Sequence, residues 1–410
     1  MKRIWLFLGT LLFLFAASCS NDGDLLSSDD RGDGYSPSGP SGVREGSDEE
    51  NGTGNRPSSG QLTCGEWNDT KNYDFYLNLF KKTEDAGVPE NQRRNGFAGY
   101  IEYFGFETRY MVTVNVISDE LPVGDALVEL YHSEDKLFSA KTDIRGNAYL
   151  FPSYDLTGEN ITIKVNGNVL QQSFEYDANP IQITLENNAV KKSILDLMFV
   201  IDTTGSMGDE LRYLKAEISD VINSIASDNP EYTINLALLF YRDIGDDYVT
   251  RYFDFTTNIS QQQQNLARQS ASGGGDFPEA VDKALSEAVN KNWNNDYATR
   301  IIFHVCDAPP HADQGNQSLY YSAIKTAAQK GIRIMPVASS GIDRATEYLL
   351  RQEAIMTGGT YIFLTDDSGI GNEHLQPTVG EYTVEYLNAC MVRIVNEYLT
   401  GIETEPVSYY

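Results

Sequence analysis

The 410-residue chain has few cysteines and few basic residues for its length. Its four cysteines include no Cys-x-x-Cys pair, and its histidines have no metal-ligand spacing, so the sequence gives no sign of a zinc site. The 31 lysines and arginines are outnumbered by 59 aspartates and glutamates, which leaves a formal net charge of -28. Long-range repulsion argues against nucleic acid, anionic lipid surfaces and phosphorylated ligands as partners. The same charge favours divalent cations.

The chain also lacks the short motifs of common catalytic sites. Ser206 lies in Thr-Gly-Ser-Met-Gly, which has Thr where the nucleophile elbow of a hydrolase requires Gly. The Gly273–Gly275 run is not followed by the lysine of a phosphate-binding loop, and no His-Glu-x-x-His sequence occurs. We therefore predict a binding protein and not an enzyme.

Long apolar runs are absent except at the start of the chain. Behind Lys2 and Arg3, an apolar run extends to Ala17 and ends in Ala-Ala-Ser-Cys, which predicts a secretory signal peptide over residues 1–18. Because Cys19 directly follows small residues, the segment resembles a bacterial lipobox. That resemblance implies a lipid on Cys19 that anchors the mature protein in a membrane. A plain signal peptide with an incidental cysteine is the alternative.

The residues after Cys19 suggest a location. The acidic stretch 20–24 resembles the export tag of surface lipoproteins in some Gram-negative bacteria. We therefore expect an outer-membrane lipoprotein of the Gram-negative cell envelope, exposed at the surface. Residues 19–60 are acidic, rich in Ser and Gly and almost free of apolar side chains, which predicts a disordered tether.

Residues 61–107 are rich in aromatic side chains. Tyr73, Tyr76 and Phe80 have helical spacing and predict a short amphipathic helix. Other aromatic residues, such as Phe97 and Tyr103, allow two interpretations. They form either a surface on which sugars stack or, in the alternative that we favour, a packing contact with a neighbouring domain.

Residues 108–190 change to an alternating apolar pattern. Short runs with period two, separated by turn sequences, predict a small all-β sandwich. The hairpin sequence 142–148, Thr-Asp-Ile-Arg-Gly-Asn-Ala, resembles that of carboxypeptidase regulatory-like and immunoglobulin-like bacterial repeats. The resemblance implies that Asp143 and Gly146 shape a turn and that the module is a spacer.

Residues 191–402 alternate between strands and helices, and a short tail follows at 403–410. The pattern predicts an α/β fold with a doubly wound, mostly parallel six-stranded sheet. The predicted strands are 195–201, 232–241, 249–255, 300–306, 332–338 and 360–364. The predicted helices are 208–226, 259–270, one from Pro278, 318–330, 343–356 and 381–400. Loops at the carboxyl ends of such strands meet at one edge and form a binding crevice.

Three of these loops carry oxygen donors. Strand 195–201 leads into Asp202, Thr204 and Ser206, which place one carboxylate and two hydroxyls on a tight loop. Hard oxygen donors of this kind suit a small divalent cation such as Mg²⁺. A glycine-rich loop ends at Asp276, and Asp307 follows strand 300–306 directly.

The three ordered loops resemble the metal-ion-dependent adhesion site of von Willebrand factor A-type domains, over about residues 193–400. The resemblance implies Mg²⁺, or Mn²⁺ or Ca²⁺, held directly by Thr204 and Ser206, with Asp202 acting through water and Asp307 nearby. It also implies a protein partner whose carboxylate completes the coordination. A retained fold with an empty site is the alternative.

The second loop departs from the usual pattern, because Asp276 stands where relatives usually have Thr. The sequence Gly-Gly-Gly-Asp-x-Pro-Glu-Ala, followed later by Asp-Ala-Pro-Pro-His, resembles a bacterial and protist subgroup of these domains. An aspartate raises the negative charge of the site, which favours the metal and weakens the attraction for an acidic ligand. Direct coordination by Asp276, coordination through water and a helix cap at Pro278 all stay open.

Other polar residues at this edge are weaker candidates for the binding site. His311 and Asp243 are candidate rim residues for a ligand, although a loop hydrogen bond for His311 and an ion pair with Arg242 for Asp243 are alternatives. We expect His304 to be a hydrogen-bonded core residue. Cys64, Cys306 and Cys390 predict no structural disulfide.

Together these predictions describe an adhesin-like lipoprotein that binds a protein through a metal. The alternatives are an envelope scaffold in which the metal stabilises the fold, and glycan binding by residues 61–107.

Overall fold

A computed structural model describes residues 57–81, 97–169, 173–176, 180–186, 193–295 and 298–410. The predictions for the signal peptide, for Cys19 and for most of the tether lie outside the described residues. No helix in the described ranges is long and apolar enough to cross a membrane.

The aromatic-rich segment contributes one strand and two short helices: β1 (Thr63–Trp67), α1 (Tyr73–Asn78) and α2 (Ala98–Phe104). Helix α1 lies within the predicted amphipathic stretch. The side chains of Tyr76, Phe97 and Phe106 are buried, and the Phe97 ring meets the Tyr348 ring edge-on at 5.2 Å. These contacts support the packing interpretation for the buried aromatic residues.

The alternating region forms two small sheets. Its strands are β2 (Val112–Ser118), β3 (Leu121–Pro122), β4 (Leu127–His132), β5 (Asp135–Lys141), β6 (Asn147–Leu150), β7 (Asn160–Val165), β8 (Asn168–Val169), β9 (Phe174–Glu175) and β10 (Ile181–Thr184). One sheet contains β10, β2, β3 and β6, and the other contains β5, β4, β7, β8 and β9. Buried side chains from both sheets, such as Val114 and Ile163, belong to one apolar cluster. The immunoglobulin-like topology of this region stays a prediction.

The remaining chain alternates between strands and helices as the sequence predicts. Its strands are β11 (Ile194–Asp202), β12 (Thr233–Tyr241), β13 (Thr250–Thr256), β14 (Ala298–Cys306), β15 (Ile332–Ala338), β16 (Tyr361–Leu364) and β17 (Glu385–Tyr386). Its helices are α3 (Gly208–Asp228), α4 (Ile259–Ala267), α5 (Val281–Val289), α6 (Gln314–Lys330), α7 (Arg344–Thr357) and α8 (Leu387–Thr400).

The large sheet of the described residues is mixed, with the strand order β13-β12-β11-β14-β15-β16-β1-β17. Strands β12, β11, β14, β15 and β16 are parallel, whereas β13, β1 and β17 join antiparallel. The prediction of six strands is therefore too low for this sheet. Strand β1 comes from the aromatic-rich segment and pairs with β16, Cys64 opposite Leu364.

Three helix starts differ from the prediction. Helix α5 begins at Val281 and not at Pro278, because the preceding residues pair with another loop. Helix α6 begins earlier, at Gln314, where the Asp313 side chain accepts from the first free backbone N–H groups. Helix α8 begins at Leu387, since the two residues before it form β17.

The three cysteines of the described residues are buried free thiols. Cys306 ends β14 and Cys390 lies on the buried face of α8, as expected of small apolar side chains.

Candidate metal site

The first loop begins at Asp202, the last residue of β11 and fully buried. Its Oδ1 accepts a hydrogen bond from the Thr204 backbone N–H at 2.8 Å and from the Thr204 hydroxyl at 2.7 Å. Short polar side chains often fix a turn through such local bonds. The Thr204 Oγ1 lies 3.1 Å from the Ser206 Oγ, so the three predicted donors of this loop are in contact.

The third loop meets the first because β11 and β14 are neighbouring parallel strands. Asp307 follows β14 directly and lines the same cleft as Ser206, whose side chain lowers the pKa of the Asp307 carboxyl. The structure thus brings together four predicted residues, whose role as ligands stays a prediction: Asp202, Thr204, Ser206 and Asp307.

The second loop is held against the first by backbone hydrogen bonds. The Gly205 N–H donates to the Gly273 carbonyl, and the Ser272 N–H donates to the Thr203 carbonyl, both at 3.0 Å. Asp276 lies in this loop with an exposed side chain. It stands beside the other donors but is not buried among them, and it does not cap α5, which begins at Val281.

The sequence reasoning missed a buried carboxylate, Glu279, whose side chain is 3% exposed. Its N–H donates to the Pro309 carbonyl at 2.9 Å, and it forms an isolated parallel bridge with Pro310. This bridge joins the second loop to the third and carries the glutamate into the site. The sequence Gly-Gly-Gly-Asp-Phe-Pro-Glu-Ala contains this glutamate and could have indicated it as a site residue. It was used only as a feature of the subgroup.

Gly274 makes room for this glutamate. Its backbone φ is +71°, and a Cβ atom there would lie 2.8 Å from the Glu279 Oε1 and 3.3 Å from the Thr204 Cβ. Any larger residue would displace one of the two side chains. The glycine run thus lets Glu279 approach the first loop.

These loops surround a cleft of about 230 Å³, which we call the acidic cleft. It is lined by Ser206, Asp276, Phe277, Glu279, Asp307, Ala308, Ser340, Gly341 and Asn372. Asp202 lies buried beside it.

Three carboxylate oxygens of this site have no hydrogen-bond partner among the described residues: the Asp202 Oδ2, the Glu279 Oε2 and the Asp307 Oδ1. Burial raises the pKa of Asp202, and the neighbouring Asp307 charge raises it further. Burial also raises the pKa of Asp307, although the Ser206 side chain lowers it in part. Burial and then the charges of nearby aspartates, Asp202 first, raise the pKa of Glu279 to about 9.

A divalent cation fits this donor set. Buried carboxylates that lack partners repel one another, and a cation would satisfy their free oxygens. The described ranges contain no group of three or more His, Cys, Asp or Glu side chains that could hold a metal ion. Two of the predicted donors here are hydroxyls, and hydroxyl, carboxylate and water oxygens are donors that Mg²⁺ accepts.

His304 lies in the core beneath this edge, as predicted. Its Nδ1 lies 2.8 Å from the Glu353 Oε2 and its Nε2 lies 3.2 Å from the Tyr241 hydroxyl. Although burial lowers the pKa of His304, the Glu353 carboxylate raises it well above the usual value. His304 therefore supports the sheet and does not face the cleft.

Asp243 and His311, the predicted rim residues, contact each other. The His311 Nε2 lies 2.7 Å from the Asp243 Oδ1. Arg242 instead donates to the Thr203 and Ser270 carbonyls and ties the first two loops together. The loop hydrogen bond of His311 is confirmed, and the ion pair between Asp243 and Arg242 is not among the observed contacts of the described residues.

Comparison with known proteins gives the following similarities. Residues 196–369 match the family model of the von Willebrand factor A domain. A stretch of 135 residues is 30% identical to the ariadne-like RING finger protein R811 of Acanthamoeba polyphaga mimivirus, and covers 33% of this chain and 13% of that protein. A stretch of 136 residues is 26% identical to the alpha-protein kinase vwkA of Dictyostelium discoideum, and covers 32% of this chain and 21% of that protein. The chain thus spans less than a quarter of either relative.

Among solved structures, a conserved hypothetical protein BatB from Bacteroides thetaiotaomicron is similar. The identity is 17% and the TM-score is 0.32, over 41% of this chain and 89% of that one.

Proposed function

We propose that this chain, whose residues 196–369 form a von Willebrand factor A domain, binds an oxygen-bearing group of a partner protein through a divalent cation at the acidic cleft. The close arrangement of Asp202, Thr204, Ser206 and Asp307 supports this proposal, together with carboxylate oxygens that have no hydrogen-bond partner within the described part of the chain. Domains of this type commonly mediate protein interactions. What we propose beyond this common role is the metal ion and the position of the site.

The residues of the three loops have distinct roles in this proposal. The hydroxyls of Thr204 and Ser206 would hold the ion, Asp202 would act through water, and Asp307 would balance the charge. Asp276 adds negative charge at the rim. A bound cation would attract an oxygen of the partner, and a carboxylate is the ligand expected from the sequence.

The anchor belongs to the same proposal. The lipobox-like sequence at Cys19 and the acidic residues behind it support a lipoprotein of the Gram-negative outer membrane, with the domain held away from the lipid by the tether. We propose binding and no catalysis, since the chain lacks the catalytic motifs sought in the sequence.

Thermal unfolding of the full chain tests the metal. Mg²⁺, Mn²⁺ or Ca²⁺ should raise the melting temperature of the wild type, and Asp202→Ala and Ser206→Ala should abolish the rise. Asp228→Ala and Ser227→Ala are matched controls, since both residues are exposed at the far end of α3. Equal melting temperatures with and without metal for every form would contradict the proposal.

Capture from envelope or host extracts tests the role. An adhesin-like protein should lose its partner in chelator and recover it when metal is added. A complex that persists in chelator would favour the scaffold alternative.

The glycan alternative has one observation in its favour, because Tyr103 is 61% exposed and lies beside Tyr100 and Phe104 along a small apolar groove. Sugar binding there should persist in chelator and fail in Tyr103→Ser.

A further inference from the structure

Basic side chains gather on one face of the domain although the chain as a whole is acidic. Lys215, on α3, donates to the Gln269 carbonyl at 2.8 Å, and Arg251, on β13, donates to the Gln269 side-chain oxygen at 3.0 Å. Arg268 directly precedes Gln269 in the chain, and its side chain is exposed. Three cationic side chains from three elements therefore meet around the buried Gln269, at the end of α4.

A fourth cation, Arg212, lies about one turn away from Lys215 on α3. Helix positions that are three or four residues apart share a face. On this face, a Cβ atom added to Gly208 would lie 3.9 Å from the Ala271 Cβ, and Lys215 reaches Gln269. The exposed Arg212 lies between these two contacts. We call the surface formed by four residues the basic face: Arg212, Lys215, Arg251 and Arg268.

The basic face has no acid that compensates its charge. None of its four side chains forms an ion pair with a carboxylate among the described residues. Most other arginines of these ranges do, as in the pairs Arg300–Asp125 and Arg393–Glu385. Like charges that lie close together without a partner repel one another. An anion from outside the chain would relieve that repulsion.

The cations are fixed by groups that leave their charge in place. The Arg251 guanidinium carbon lies 3.9 Å from the centre of the Tyr248 ring, and the Lys215 ammonium donates to the Ala267 and Gln269 carbonyls. An aromatic ring attracts a cation without neutralising it. Because side chains that are already fixed lose less entropy on binding, the basic face is preorganised for an anion.

The basic face adjoins the loops of the acidic cleft. The segment that carries Arg268 continues into Ser272, whose N–H donates to the carbonyl of Thr203, the residue before the predicted donor Thr204. A partner group that enters the cleft therefore has the basic face nearby. The net charge of -28 does not decide what binds there. Charges more than about 8 Å away are largely screened at physiological ionic strength.

We propose that the basic face is an interaction surface for an acidic segment of the partner protein, with aspartates or glutamates near the group that enters the acidic cleft. This inference rests on the proposed function and narrows its partner. Arginine pairs with a carboxylate through two parallel hydrogen bonds, which suits a face made mainly of arginines. A short acidic segment also meets less long-range repulsion from this chain than a densely charged nucleic acid or sulfated glycan.

The test uses a fluorescent peptide of ten glutamates as the probe and the full chain in chelator. Fluorescence anisotropy should show that the triple variant Arg212→Gln, Arg251→Gln, Arg268→Gln binds the peptide about tenfold or more weakly than the wild type, since one exposed charge contributes about two- to fivefold. Replacing the same three arginines by lysine keeps the charge and should retain most of the binding. That variant separates loss of charge from loss of fold.

The matched control removes the same charge elsewhere. Lys81→Gln, Lys136→Gln and Lys325→Gln, combined in one chain, change three exposed lysines outside the basic face. This variant has the same net charge as the arginine-to-glutamine variant and should bind the peptide like the wild type. Equal weakening in both variants would show that net charge, and not the basic face, attracts the peptide, which would overturn the inference.

Mg²⁺ then connects the basic face to the cleft. It should tighten peptide binding by the wild type, and Asp202→Ala should abolish this gain without changing the binding in chelator. If the wild type binds the peptide in chelator but is not stabilised by metal, the proposed metal site is wrong and the basic face stands. If metal stabilises the wild type but the triple variant binds the peptide equally well, the inference is wrong and the metal site stands. Tighter binding of heparin than of the peptide to the basic face would overturn the partner class.

Discussion

Two groups of buried charge in this molecule are arranged in opposite ways. Where the aromatic-rich segment meets α7, the Arg351 guanidinium donates to both carboxylate oxygens of Asp69, at 2.9 and 2.5 Å. It also donates to the Thr378 carbonyl at 2.7 Å. At the acidic cleft, Asp202, Glu279 and Asp307 are also buried, yet each keeps an oxygen that has no hydrogen-bond partner among the described residues.

The difference shows which buried charges serve the fold. A buried ion pair with satisfied hydrogen bonds joins two parts of the chain, and its loss leaves an uncompensated charge. Unpaired acids at the cleft contribute no such link, and their mutual repulsion opposes folding. They are useful to the protein only if something from outside neutralises them, which is why we interpret them as a binding site.

The largest expected effect concerns the paired group. Arg351→Met leaves the Asp69 carboxylate buried without its cation, so the free energy of unfolding should fall by about 3–5 kcal/mol. Urea denaturation of the full chain measures this loss.

Two variants control that measurement. Adding Asp69→Asn to Arg351→Met should recover part of the loss, because the stranded charge is removed. Arg268→Met, at an exposed position, should change stability by less than about 0.5 kcal/mol. A loss below about 1 kcal/mol in Arg351→Met would show that the pair does not join the two segments as the comparison requires.

The acidic cleft should affect stability in the opposite way, because ionisation of its acids should destabilise the fold. Measuring stability in chelator as a function of pH tests this. The pKa values of Asp202 and Asp307 are raised in the folded state, and that of Glu279 is raised to about 9. The folded state then retains protons that the unfolded state has lost. Its stability should fall as pH rises from about 4 towards 9, by about 3 kcal/mol once water in the open cleft is allowed for.

His304 complicates this profile, because its pKa is raised as well. A histidine of this kind stabilises the fold below its unfolded pKa, and the contribution is lost as pH rises through the folded value. Both effects lower the stability of the fold as pH rises. The informative quantity is therefore the difference in the free energy of unfolding between the wild type and Glu279→Gln. Parallel profiles for the two proteins would contradict the assignment of the loss to the cleft.

Much of the site was predictable because parallel strands end at one edge. Asp202 and Asp307 follow strands that the apolar runs 195–201 and 300–306 reveal, and the fold brings such strand ends together. Thr204 and Ser206 follow from their position next to Asp202. These predictions needed only the alternation of strands and helices and the identity of the residues after each strand.

Glu279 was not predictable by the same reasoning. Proline is favoured in the first turn of a helix, so Pro278 suggested that the helix began there and that Glu279 was helical. A bridge to Pro310, more than thirty residues away in sequence, overrides that local preference. Contacts between distant loops leave no local pattern in a single sequence.

Strand β1 escaped prediction for a related reason. Its five residues, Thr-Cys-Gly-Glu-Trp, do not alternate, and they are separated from β16 by nearly three hundred residues. Only the pairing with an exposed sheet edge makes this segment a strand. The partner of Asp243 was missed likewise, since His311 lies on another loop.

Metal binding should reverse the repulsion at the cleft. At about 100 times its dissociation constant, Mg²⁺ should raise the free energy of unfolding of the wild type by about 2.7 kcal/mol. Asp307→Asn should lose most of this gain and should be at least as stable as the wild type in chelator. If Mg²⁺ stabilised both proteins equally, Asp307 would not belong to the metal site.

The smallest expected effect separates buried from exposed charge within the cleft itself. Asp276 is exposed at the rim, so Asp276→Asn should weaken Mn²⁺ binding by about 0.4–1 kcal/mol, or two- to fivefold, as a screened surface charge does. Raising the KCl concentration towards 1 M should remove that difference, because the Debye length falls to about 3 Å. The effect of Asp307→Asn should survive the same salt, since its carboxylate is shielded from the solvent ions. Asp228→Asn is the exposed control. A salt-resistant loss in Asp276→Asn as large as that in Asp307→Asn would place Asp276 directly on the metal.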